Sequence, residues 1–380
     1  MTGTVPSQPL SVAIVGTGTW ARVHVAAIRR TELARVALLV GSDVERTAQA
    51  AAELGVPRHA TDIGTALMAG AIDVVHVCTT NDLHAVLSMA AVAAGKHVVV
   101  EKPLAIDAAD ARSVAGAAEA AGVHGMTAFT YRGLASIERA RDLVEAGAIG
   151  SVRIVDGYYL QDWLRRGEWN WRLDAARGGA SAVVFDIGVH WFDALEYITG
   201  RRIAAVFAEL AHHRAGPGAS TDTAIVLFRL DNGATGSVLL SQVYPGQSND
   251  LCVRAAGDHA SVTWDRELAQ PSIAPAGIES TPLPPATSGR TVESPQDALA
   301  VLLARFYGPI LAGHPPTRRG DRGPYPTLWD GYRACLIADA VVASARHHEW
   351  TGVPLDPRPA TELAPGTSDI PPFETRRAGR

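Results

Sequence analysis

Short apolar runs alternate with alanine-rich stretches of helical length through the first 130 residues. The apolar runs have the length of buried strands, and the helical stretches end at Gly55, Gly95 and Gly122, a residue type that commonly stops a helix. Strands that alternate with such helices form βαβ units with right-handed crossovers. We therefore predict an α/β fold whose N-terminal part is a doubly wound parallel sheet. The predicted strands are 11–15, 36–40, 72–78, 97–100 and 123–130, and the predicted helices are 20–30, 44–54, 83–94 and 108–121.

After about residue 125 the pattern changes to strands that follow one another with few helices between them. The tripeptide Asp231-Asn232-Gly233 separates two of these strands and has the composition of a hairpin turn. We predict an N-terminal domain over 1–125, a C-terminal α+β domain with a large, mostly antiparallel open sheet over 126–355, and loosely ordered ends at 1–10 and 356–380. The predicted strands are 152–160, 203–210, 223–230, 234–241, 251–255 and 261–264, the helices are 137–146, 190–198, 298–311 and 329–345, and the long loops are 161–177 and 270–290.

The charge and cysteine content exclude several functional classes. The net charge of −5 offers no basic surface for nucleic acid or for an anionic membrane, and no apolar run approaches the roughly 20 residues of a membrane span. Three widely spaced cysteines argue against a disulfide framework, and the histidines lack zinc-ligand spacing, so we expect no metal. The first ten residues lack the features of a signal peptide. We expect a cytoplasmic protein with no nucleic-acid or membrane partner.

A glycine-rich loop, Gly16-x-Gly18-x-x-Ala21, follows the first predicted strand and opens the first predicted helix. In that position the first glycine permits a tight turn, the second lets a pyrophosphate approach the backbone, and the alanine allows close packing of helix on strand. An ordinary strand–helix turn can have the same sequence, but the surrounding βαβ pattern favours a Rossmann domain that binds NAD(P) on the helix N-terminus. The residues assigned to this loop are Gly16, Thr17, Gly18, Thr19, Trp20 and Ala21.

The end of the second predicted strand indicates which dinucleotide is bound. An acidic residue there would hold the ribose 2′-hydroxyl of NAD, but Gly41 and Ser42 occupy the expected place. They leave room and a hydroxyl for the 2′-phosphate of NADP, which Arg46 is close enough to reach. Asp43 would take the NAD role if the alignment shifted by one residue. We favour NADP over NAD.

Three residues later in the chain form a candidate proton-transfer set. Lys102, in Glu101-Lys102-Pro103, follows the fourth predicted strand and so lies at the carboxyl edge where ligands bind. Asp186 and His190 are four residues apart, so they share one face if the segment is helical, although Gly188 between them makes a regular helix less certain. The carboxylate would orient the imidazole, and His190 or Lys102 would accept a hydroxyl proton. A solvated lysine, a capping aspartate and a core histidine are the alternative interpretation.

Together these motifs resemble the Gfo/Idh/MocA family of glucose-fructose oxidoreductases and inositol dehydrogenases, over roughly residues 10–355. The resemblance implies a Rossmann domain followed by an open-sheet domain whose exposed face makes a homodimer or homotetramer. It also implies that Lys102, Asp186 and His190 surround the carbinol being oxidised. The motifs that carry it are the Gly16–Ala21 loop, Thr79-Thr80-Asn81-Asp82-Leu83-His84, Ala94-Gly95-Lys96-His97-Val98, Glu101-Lys102-Pro103, Gly178-Gly179, Asp186-Ile187-Gly188-Val189-His190 and Tyr325-Pro326-Thr327-Leu328-Trp329-Asp330-Gly331.

Further cofactor contacts follow from the same resemblance, as do two departures from it. Thr80 stands where the family usually has proline, and Thr130 stands where it often has asparagine. The first departure concerns the loop beside the cofactor and the second concerns substrate or nicotinamide contacts. The residues that the resemblance adds to the cofactor site are Thr79, Thr80, Asn81, His84, Glu101 and Lys102.

Aromatic and polar residues between 158 and 174 indicate the substrate side. Tryptophan faces stack on sugar rings, and Asp, Arg and Gln side chains bind hydroxyls, so the segment predicts a pocket for a small polyhydroxylated substrate. The same residues would equally serve packing of the second domain or a subunit contact. The candidate substrate residues are Tyr131, Arg132, Tyr159, Gln161, Asp162, Trp163, Trp171, Arg172, Asp186 and His190.

Three functions are compatible with these residues. The leading one is an NAD(P)-dependent dehydrogenase or reductase acting on a secondary hydroxyl of a sugar, sugar derivative or cyclitol. A non-enzymatic NADP-sensing regulator of the same fold is a second, and the presence of Lys102, Asp186 and His190 together argues against it. A redox-neutral, NAD-dependent glycosidase is the third, and the sequence does not separate it from the first.

Overall fold

A computed structural model describes residues 8–68, 71–216, 218, 220–277, 281–282, 294–320 and 323–355. Within these residues the chain forms two sheets, one of six strands and one of nine. The predicted disorder of the two ends concerns residues that lie almost wholly outside this description.

The six-stranded sheet is parallel throughout and has the strand order 3-2-1-4-5-6. This is the doubly wound order of a dinucleotide-binding fold, which confirms the predicted N-terminal architecture. The third strand and the short helix after it were not predicted, because a two-residue strand has no apolar periodicity to detect. The strands are β1 (Leu10–Val15), β2 (Ala34–Val40), β3 (His59–Ala60), β4 (Val74–Val77), β5 (His97–Val100) and β6 (Gly125–Thr127).

The nine-stranded sheet is mostly antiparallel, again as predicted. Its strand order is 14-13-12-11-7-10-9-8-15, and among the described pairs only strands 7 and 10 run parallel. The prediction of a long loop over 270–290 was wrong in part, because β13 pairs with β12 there and β14 with β13. The strands are β7 (Val152–Leu160), β8 (Ile203–Ala211), β9 (Thr223–Leu230), β10 (Thr235–Ser241), β11 (Asp250–Gly257), β12 (Ala260–Asp265), β13 (Ser272–Pro275), β14 (Thr281–Pro282) and β15 (Thr351–Gly352).

Helices cover both faces of the parallel sheet and one face of the larger sheet. The parallel strands are buried between two apolar clusters, and a third cluster fills the space between the larger sheet and its helices. The helices are α1 (Thr19–Thr31), α2 (Val44–Glu53), α3 (Ile63–Met68), α4 (His84–Ala93), α5 (Ala108–Ala121), α6 (Ala135–Glu145), α7 (Ala175–Gly178), α8 (Val189–Thr199), α9 (Pro295–Leu311) and α10 (Leu328–His347).

The last two long helices return to the parallel sheet. Leu302 and Phe306 of α9 belong to the apolar cluster of β1, and Tyr332 of α10 belongs to the cluster on the opposite face. The strand β6 also extends to Thr127, past the predicted division at 125/126. That division stays a prediction, and the core of the N-terminal sheet is completed by residues from the end of the chain.

The carboxyl ends of the parallel strands meet at one edge. Gly16 N–H donates to Val40 O at the end of β2, Cys78 N–H donates to Val15 O at the end of β1, and Glu101 N–H donates to Val77 O at the end of β4, so the residues that follow β1, β4 and β5 lie along the same edge. The sheet order reverses between β1 and β4, and ligands of such folds bind at that point. The glycine-rich loop and the Glu101–Lys102 pair are therefore brought together by the topology.

Candidate active site

The glycine-rich loop has the geometry that a phosphate cradle needs. Gly16 has a φ of +122°, and a Cβ there would overlap the carbonyl oxygen of Cys78. A Cβ on Gly18 would meet no protein atom within 4 Å, so that glycine leaves open space rather than filling a packed contact. No acidic side chain lies in the first turn of α1 and no side chain caps it. The free backbone N–H groups at the N-terminus of α1, together with the helix dipole, fit the pyrophosphate of a dinucleotide.

A groove of about 810 Å³ runs from this loop to Lys102. His84 helps to shape it, because its Nδ1 lies 2.7 Å from Pro103 O and its Nε2 lies 3.3 Å from Thr79 O, which ties two of the strand-end loops together. Burial lowers the pKa of His84. Of the predicted cofactor residues, those that line the groove are Gly16, Thr17, Gly18, Thr19, Trp20, Gly41, Ser42, Arg46, Thr79, Thr80, Asn81, His84, Glu101 and Lys102.

Asp43, which was a candidate for binding the ribose, forms a hydrogen bond within the protein instead. Its carboxylate accepts a hydrogen bond of 2.9 Å from the backbone N–H of Arg46 and caps α2. It does not line the groove, whereas Ser42 and Arg46 do. A side chain at Gly41 would overlap Thr47, so a carboxylate does not fit at that position either.

Lys102 is bound by Asp186. The Nζ atom of Lys102 donates to Asp186 Oδ1 and to the backbone oxygen of the same residue, both at 2.8 Å. The side chains are 7% and 13% exposed, so the interpretation of Lys102 as a solvated surface lysine was wrong. The fold therefore brings Lys102 of the predicted N-terminal domain into contact with Asp186 of the predicted C-terminal domain.

The carboxylate of Asp186 has two further donors. Arg172 Nε donates to Oδ1 at 3.1 Å, and Gln242 Nε2 donates to Oδ2 at 2.8 Å. Burial alone would raise the pKa of Asp186, but the charges of Lys102 and Arg172 outweigh it and lower the pKa below its usual range. Asp186 is therefore a fixed anion that holds two cations and one amide.

His190 lies next to this cluster, but Asp186 does not orient its imidazole as predicted from the sequence. Its Nδ1 is buried without a hydrogen-bond partner among the described residues, so Asp186 does not orient the ring through a hydrogen bond. The imidazole instead lies among aromatic rings, with its centroid 4.9 Å from that of Tyr131 and 6.4 Å from that of Tyr159. Burial, assisted by the charge of Lys102, lowers the pKa of His190 well below its ordinary value. The ring is neutral at physiological pH.

The local backbone explains the spacing of Asp186 and His190. Residues Val184–Gly188 form a turn of π-helix that leads directly into α8. A Cβ at Gly188 would lie 3.0 Å from Leu240 Cδ1, so little room exists there for a larger residue. The wider turn directs Asp186 toward Lys102 while His190 starts the regular helix. Such π-turns occur often at functional sites.

A second cavity, of about 440 Å³, meets the groove at Lys102. Its polar wall is a connected network, since Tyr159 Oη donates to Asn249 Oδ1 at 2.7 Å and Gln161 Nε2 donates to the same atom at 2.6 Å. Asn249 Nδ2 in turn donates to Tyr131 Oη at 3.2 Å. Of the predicted substrate residues, those lining the cavity are Tyr131, Tyr159, Gln161, Trp163, Arg172, Asp186 and His190.

The remaining predicted substrate residues lie elsewhere. Arg132 binds Asp193 with two hydrogen bonds and Asp330 with one, and it does not line the cavity. Asp162 precedes a 3₁₀ turn and is likewise not part of the cavity wall. Trp171 faces the groove instead, 4.4 Å from the guanidinium of Arg172. In the glycine-rich loop, Ala21 is fully buried and packs behind the groove.

Several lining residues carried no signal in the sequence. Asn249 precedes β11 and Arg266 follows β12, and isolated polar residues at the ends of antiparallel strands belong to no motif. Gln242, which follows β10, binds Asp186 without lining the cavity, and it belongs to no motif either. Ser294 and Pro295 lie at the start of α9. The capping pattern of Ser294 and Asp297 in the sequence would have predicted this helix start. Pairing across the sheet, rather than proximity in sequence, brings these residues to the cavity.

The described residues contain neither a metal-ligand cluster nor a membrane-spanning helix. No group of three or more His, Cys, Asp or Glu side chains there has the arrangement of a metal site. None of the helices described combines the length and apolarity required to cross a membrane.

Comparison with known families matches both halves of the chain. Residues 10–129 match a family described as an oxidoreductase family with an NAD-binding Rossmann fold, and residues 137–263 match the GFO/IDH/MocA C-terminal domain. The chain belongs to the Gfo/Idh/MocA family. Membership confirms the resemblance drawn from the motifs, and it makes this protein an oxidoreductase with an NAD-binding Rossmann fold.

Individual members of the family are similar over most of the chain. Levoglucosan dehydrogenase of Pseudarthrobacter phenanthrenivorans is 27% identical over 91% of this chain and 99% of its own length. A solved structure of a levoglucosan dehydrogenase in complex with NADH and levoglucosan superposes with a TM-score of 0.83 at 27% identity, covering 91% of this chain and 100% of that one. A 1,5-anhydro-D-fructose reductase of Ensifer adhaerens is 34% identical over 54% of this chain and 60% of its own length.

Proposed function

We propose that this oxidoreductase transfers a hydride between a nicotinamide dinucleotide and a secondary hydroxyl of a sugar, sugar derivative or cyclitol. The observation that supports it best is the position of Lys102, Asp186 and His190 where the dinucleotide groove meets the polar cavity. A cavity of about 440 Å³ walled by Tyr, Gln, Asn and Trp side chains suits a single polyhydroxylated ring. The named relatives that act on levoglucosan and 1,5-anhydro-D-fructose support the same class of substrate.

His190 and Lys102 have different roles in the proposed acid–base chemistry. When bound, the oxidised nicotinamide supplies the acceptor for the hydride that leaves the carbinol carbon. His190 is neutral because burial lowers its pKa, so it can accept the hydroxyl proton. Lys102, fixed by Asp186, donates a hydrogen bond to the same oxygen and orients it. In the reductive direction the two groups act in reverse.

A panel of polyols tests this function directly. The purified protein is mixed with NAD⁺ or NADP⁺ and with levoglucosan, myo-inositol or simple aldoses, and nicotinamide absorbance is followed. Net reduction of the cofactor by at least one of these ring polyols is expected. Binding of cofactor without turnover on any of them would favour the sensor, and cleavage of a glycoside with no net change in absorbance would favour the redox-neutral glycosidase.

For the cofactor, we propose a preference for NADP. Asp43 caps α2, no carboxylate fits at Gly41, and Ser42 and Arg46 are left to face the groove. Arg46→Ala should weaken NADPH binding by about tenfold and leave NADH binding unchanged, because the guanidinium would contact only the 2′-phosphate. Fluorescence titration measures both affinities. Tighter binding of NADH than of NADPH by the unaltered protein would contradict the preference.

We also propose that the open face of the larger sheet forms a homodimer or homotetramer contact. Ile154 of β7 and Ile225 and Leu227 of β9 project from that face and are 57%, 52% and 44% exposed, so large apolar side chains are left uncovered on both sides of β10. Light scattering of the Ile225→Asp/Leu227→Asp variant should give a smaller particle than the unaltered protein. A monomeric unaltered protein would contradict the proposal.

Finally, we propose a cytoplasmic location for the protein. Its three cysteines, Cys78, Cys252 and Cys335, are all free and buried, which fits a compartment that keeps thiols reduced. Fractionation of the host cell, with the protein followed by antibody, tests the location.

A further inference from the structure

A line of buried polar side chains leads from α9 to Glu101. Tyr307 Oη lies 2.8 Å from His76 Nε2, His76 Nδ1 lies 2.8 Å from His24 Nδ1, and His24 Nε2 lies 3.0 Å from Glu101 Oε1. The two histidines and the tyrosine have no exposed surface, and Glu101 is 4% exposed. We call these four residues the buried relay. Of the four, only Glu101 belongs to the predicted cofactor site.

Only one arrangement of protons satisfies every donor in the buried relay. If Tyr307 donates to His76 Nε2, then His76 donates from Nδ1 to His24 Nδ1, and His24 donates from Nε2 to Glu101. A proton on Glu101 Oε1, or a doubly protonated His24, makes the hydroxyl of Tyr307 an acceptor. Its own hydrogen would then have no partner among the described residues, a cost of about 1–3 kcal/mol in a buried position. A proton on Glu101 Oε2 would have no acceptor among the described residues, because Oε2 itself accepts from the backbone N–H of Lys102.

The relay therefore ends on an ionised carboxylate. Both carboxylate oxygens of Glu101 accept hydrogen bonds, Oε1 from His24 and Oε2 from the backbone N–H of Lys102 at 3.2 Å. Burial lowers the pKa of His76 and raises that of Tyr307, which keeps both neutral and the direction of the relay unchanged. Lys102 does not neutralise Glu101, because its ammonium is bound to Asp186.

Glu101 lines the same groove as the glycine-rich loop and Lys102. The oxidised nicotinamide ring carries a positive charge and the reduced ring carries none, so a fixed anion in the groove distinguishes the two forms. We propose that the buried relay holds Glu101 as a positioned anion that makes the protein bind the oxidised cofactor more tightly, relative to the reduced one, than it otherwise would. This proposal rests on the nicotinamide dependence proposed above, and it assigns Tyr307, His76 and His24 as positioning residues.

The test compares the dissociation constants of the full-length protein for oxidised and reduced cofactor, by calorimetric titration. Glu101→Gln, which removes the charge and keeps the size, should lower the ratio of reduced to oxidised dissociation constants by about tenfold. His24→Leu should lower it in the same direction. His24→Gln, which retains an N–H that can reach Glu101, should restore the ratio to within about twofold of the unaltered protein.

A buried histidine outside the relay supplies the matched control. His124 also binds a tyrosine, with Nδ1 2.9 Å from Tyr325 Oη, but its Nε2 faces His314 O and it has no connection to Glu101. His124→Leu should lower the melting temperature without changing the ratio. An unchanged ratio in Glu101→Gln overturns the proposal even if His24→Leu does not fold, and equal ratios in His24→Leu and His124→Leu reduce the relay to a packing role. Failure of the unaltered protein to bind either cofactor form would instead contradict the proposed function.

Discussion

Asp186 accepts hydrogen bonds from Lys102, Arg172 and Gln242, and in the proposed mechanism this arrangement leaves His190 as the group that takes a proton. The lysine ammonium is fixed in place by the carboxylate. Among the described residues the imidazole Nδ1 of His190 has no hydrogen-bond partner, and burial lowers the pKa of the ring, which keeps it neutral. The aspartate therefore acts on the lysine, and the spacing of four between Asp186 and His190 serves to place them on one wall of the cavity.

Removing either proposed acid–base group should slow turnover far more than it weakens cofactor binding. We expect Lys102→Ala and His190→Ala each to lower kcat by on the order of 10²–10⁴, the usual effect of losing a positioned acid or base. Steady-state kinetics on a polyol that the proposed panel identifies as a substrate gives kcat, and fluorescence titration gives cofactor affinity. Lys96→Ala is the control, because its ammonium binds Ile72 O away from both cavities. Full turnover in both site variants would exclude the proposed mechanism.

The pH dependence should reflect the lowered pKa of His190. A base with a lowered pKa stays deprotonated as the pH falls through 6.5, so kcat/KM for oxidation should show no inflection there and should decrease only at more acidic pH. Rates measured between about pH 5 and pH 8 with one polyol test this expectation. An inflection near pH 6.5 that disappears in His190→Ala would show instead that the imidazole titrates normally.

The two glycines in the turn between β1 and α1 are required for different reasons. Gly16 is needed by the protein, because its φ of +122° and the nearby Cys78 carbonyl exclude a side chain. Gly18 has no protein atom within reach of a Cβ, so the open space beside it is needed only by the ligand.

Alanine at the two positions should therefore have different effects. Gly16→Ala should lower the melting temperature by several degrees and weaken cofactor binding as well, because the backbone must shift. Gly18→Ala should leave the melting temperature unchanged and weaken cofactor binding by about tenfold or more. Thermal denaturation and cofactor titration of both variants provide the comparison, and equal melting temperatures would contradict the assignment.

Elements with strong local patterns were predictable, and elements defined by distant pairing were not. The parallel sheet, the strand Val152–Leu160 and the hairpin at Asp231–Gly233 followed from apolar periodicity and turn composition. The same reasoning found Lys102, Asp186 and His190, since each lies in a compact motif. It missed β13 and β14, whose pairing partner is β12, and it missed Asn249 and Gln242 because cross-strand neighbours are not encoded by local sequence. The π-turn before α8 also has no periodicity that distinguishes it from a helix start.

Across the whole molecule, buried neutral histidines make stability depend on pH. Their pKa values are lowered by burial in the folded protein, that of His97 to about 4, whereas an unfolded chain would protonate them near pH 6.5. As the pH falls below 6.5 the unfolded state gains protons first, so stability is lost between about pH 6.5 and pH 4. Asp193, whose pKa burial raises to about 6, opposes this trend. The histidines concerned are His76, His84, His97, His124 and His190.

We expect the melting temperature to be lower at pH 5 than at pH 7.5, by on the order of 5 °C, when ionic strength is held constant. Circular dichroism during heating measures it. Replacing the partly buried His97 with Asn should reduce the difference between the two pH values. A melting temperature that is unchanged or higher at pH 5 would mean that the buried carboxyl groups dominate the balance.

The return of α9 and α10 to the parallel sheet has a consequence for biosynthesis. The sheet is built from the first third of the chain, but Leu302, Phe306 and Tyr332 complete its two apolar faces. A ribosome that has released only the N-terminal half leaves those faces without their last covering residues. We therefore expect the nascent N-terminal half to remain sensitive to protease until α9 and α10 have emerged, so that this domain matures only after the second domain has been synthesised.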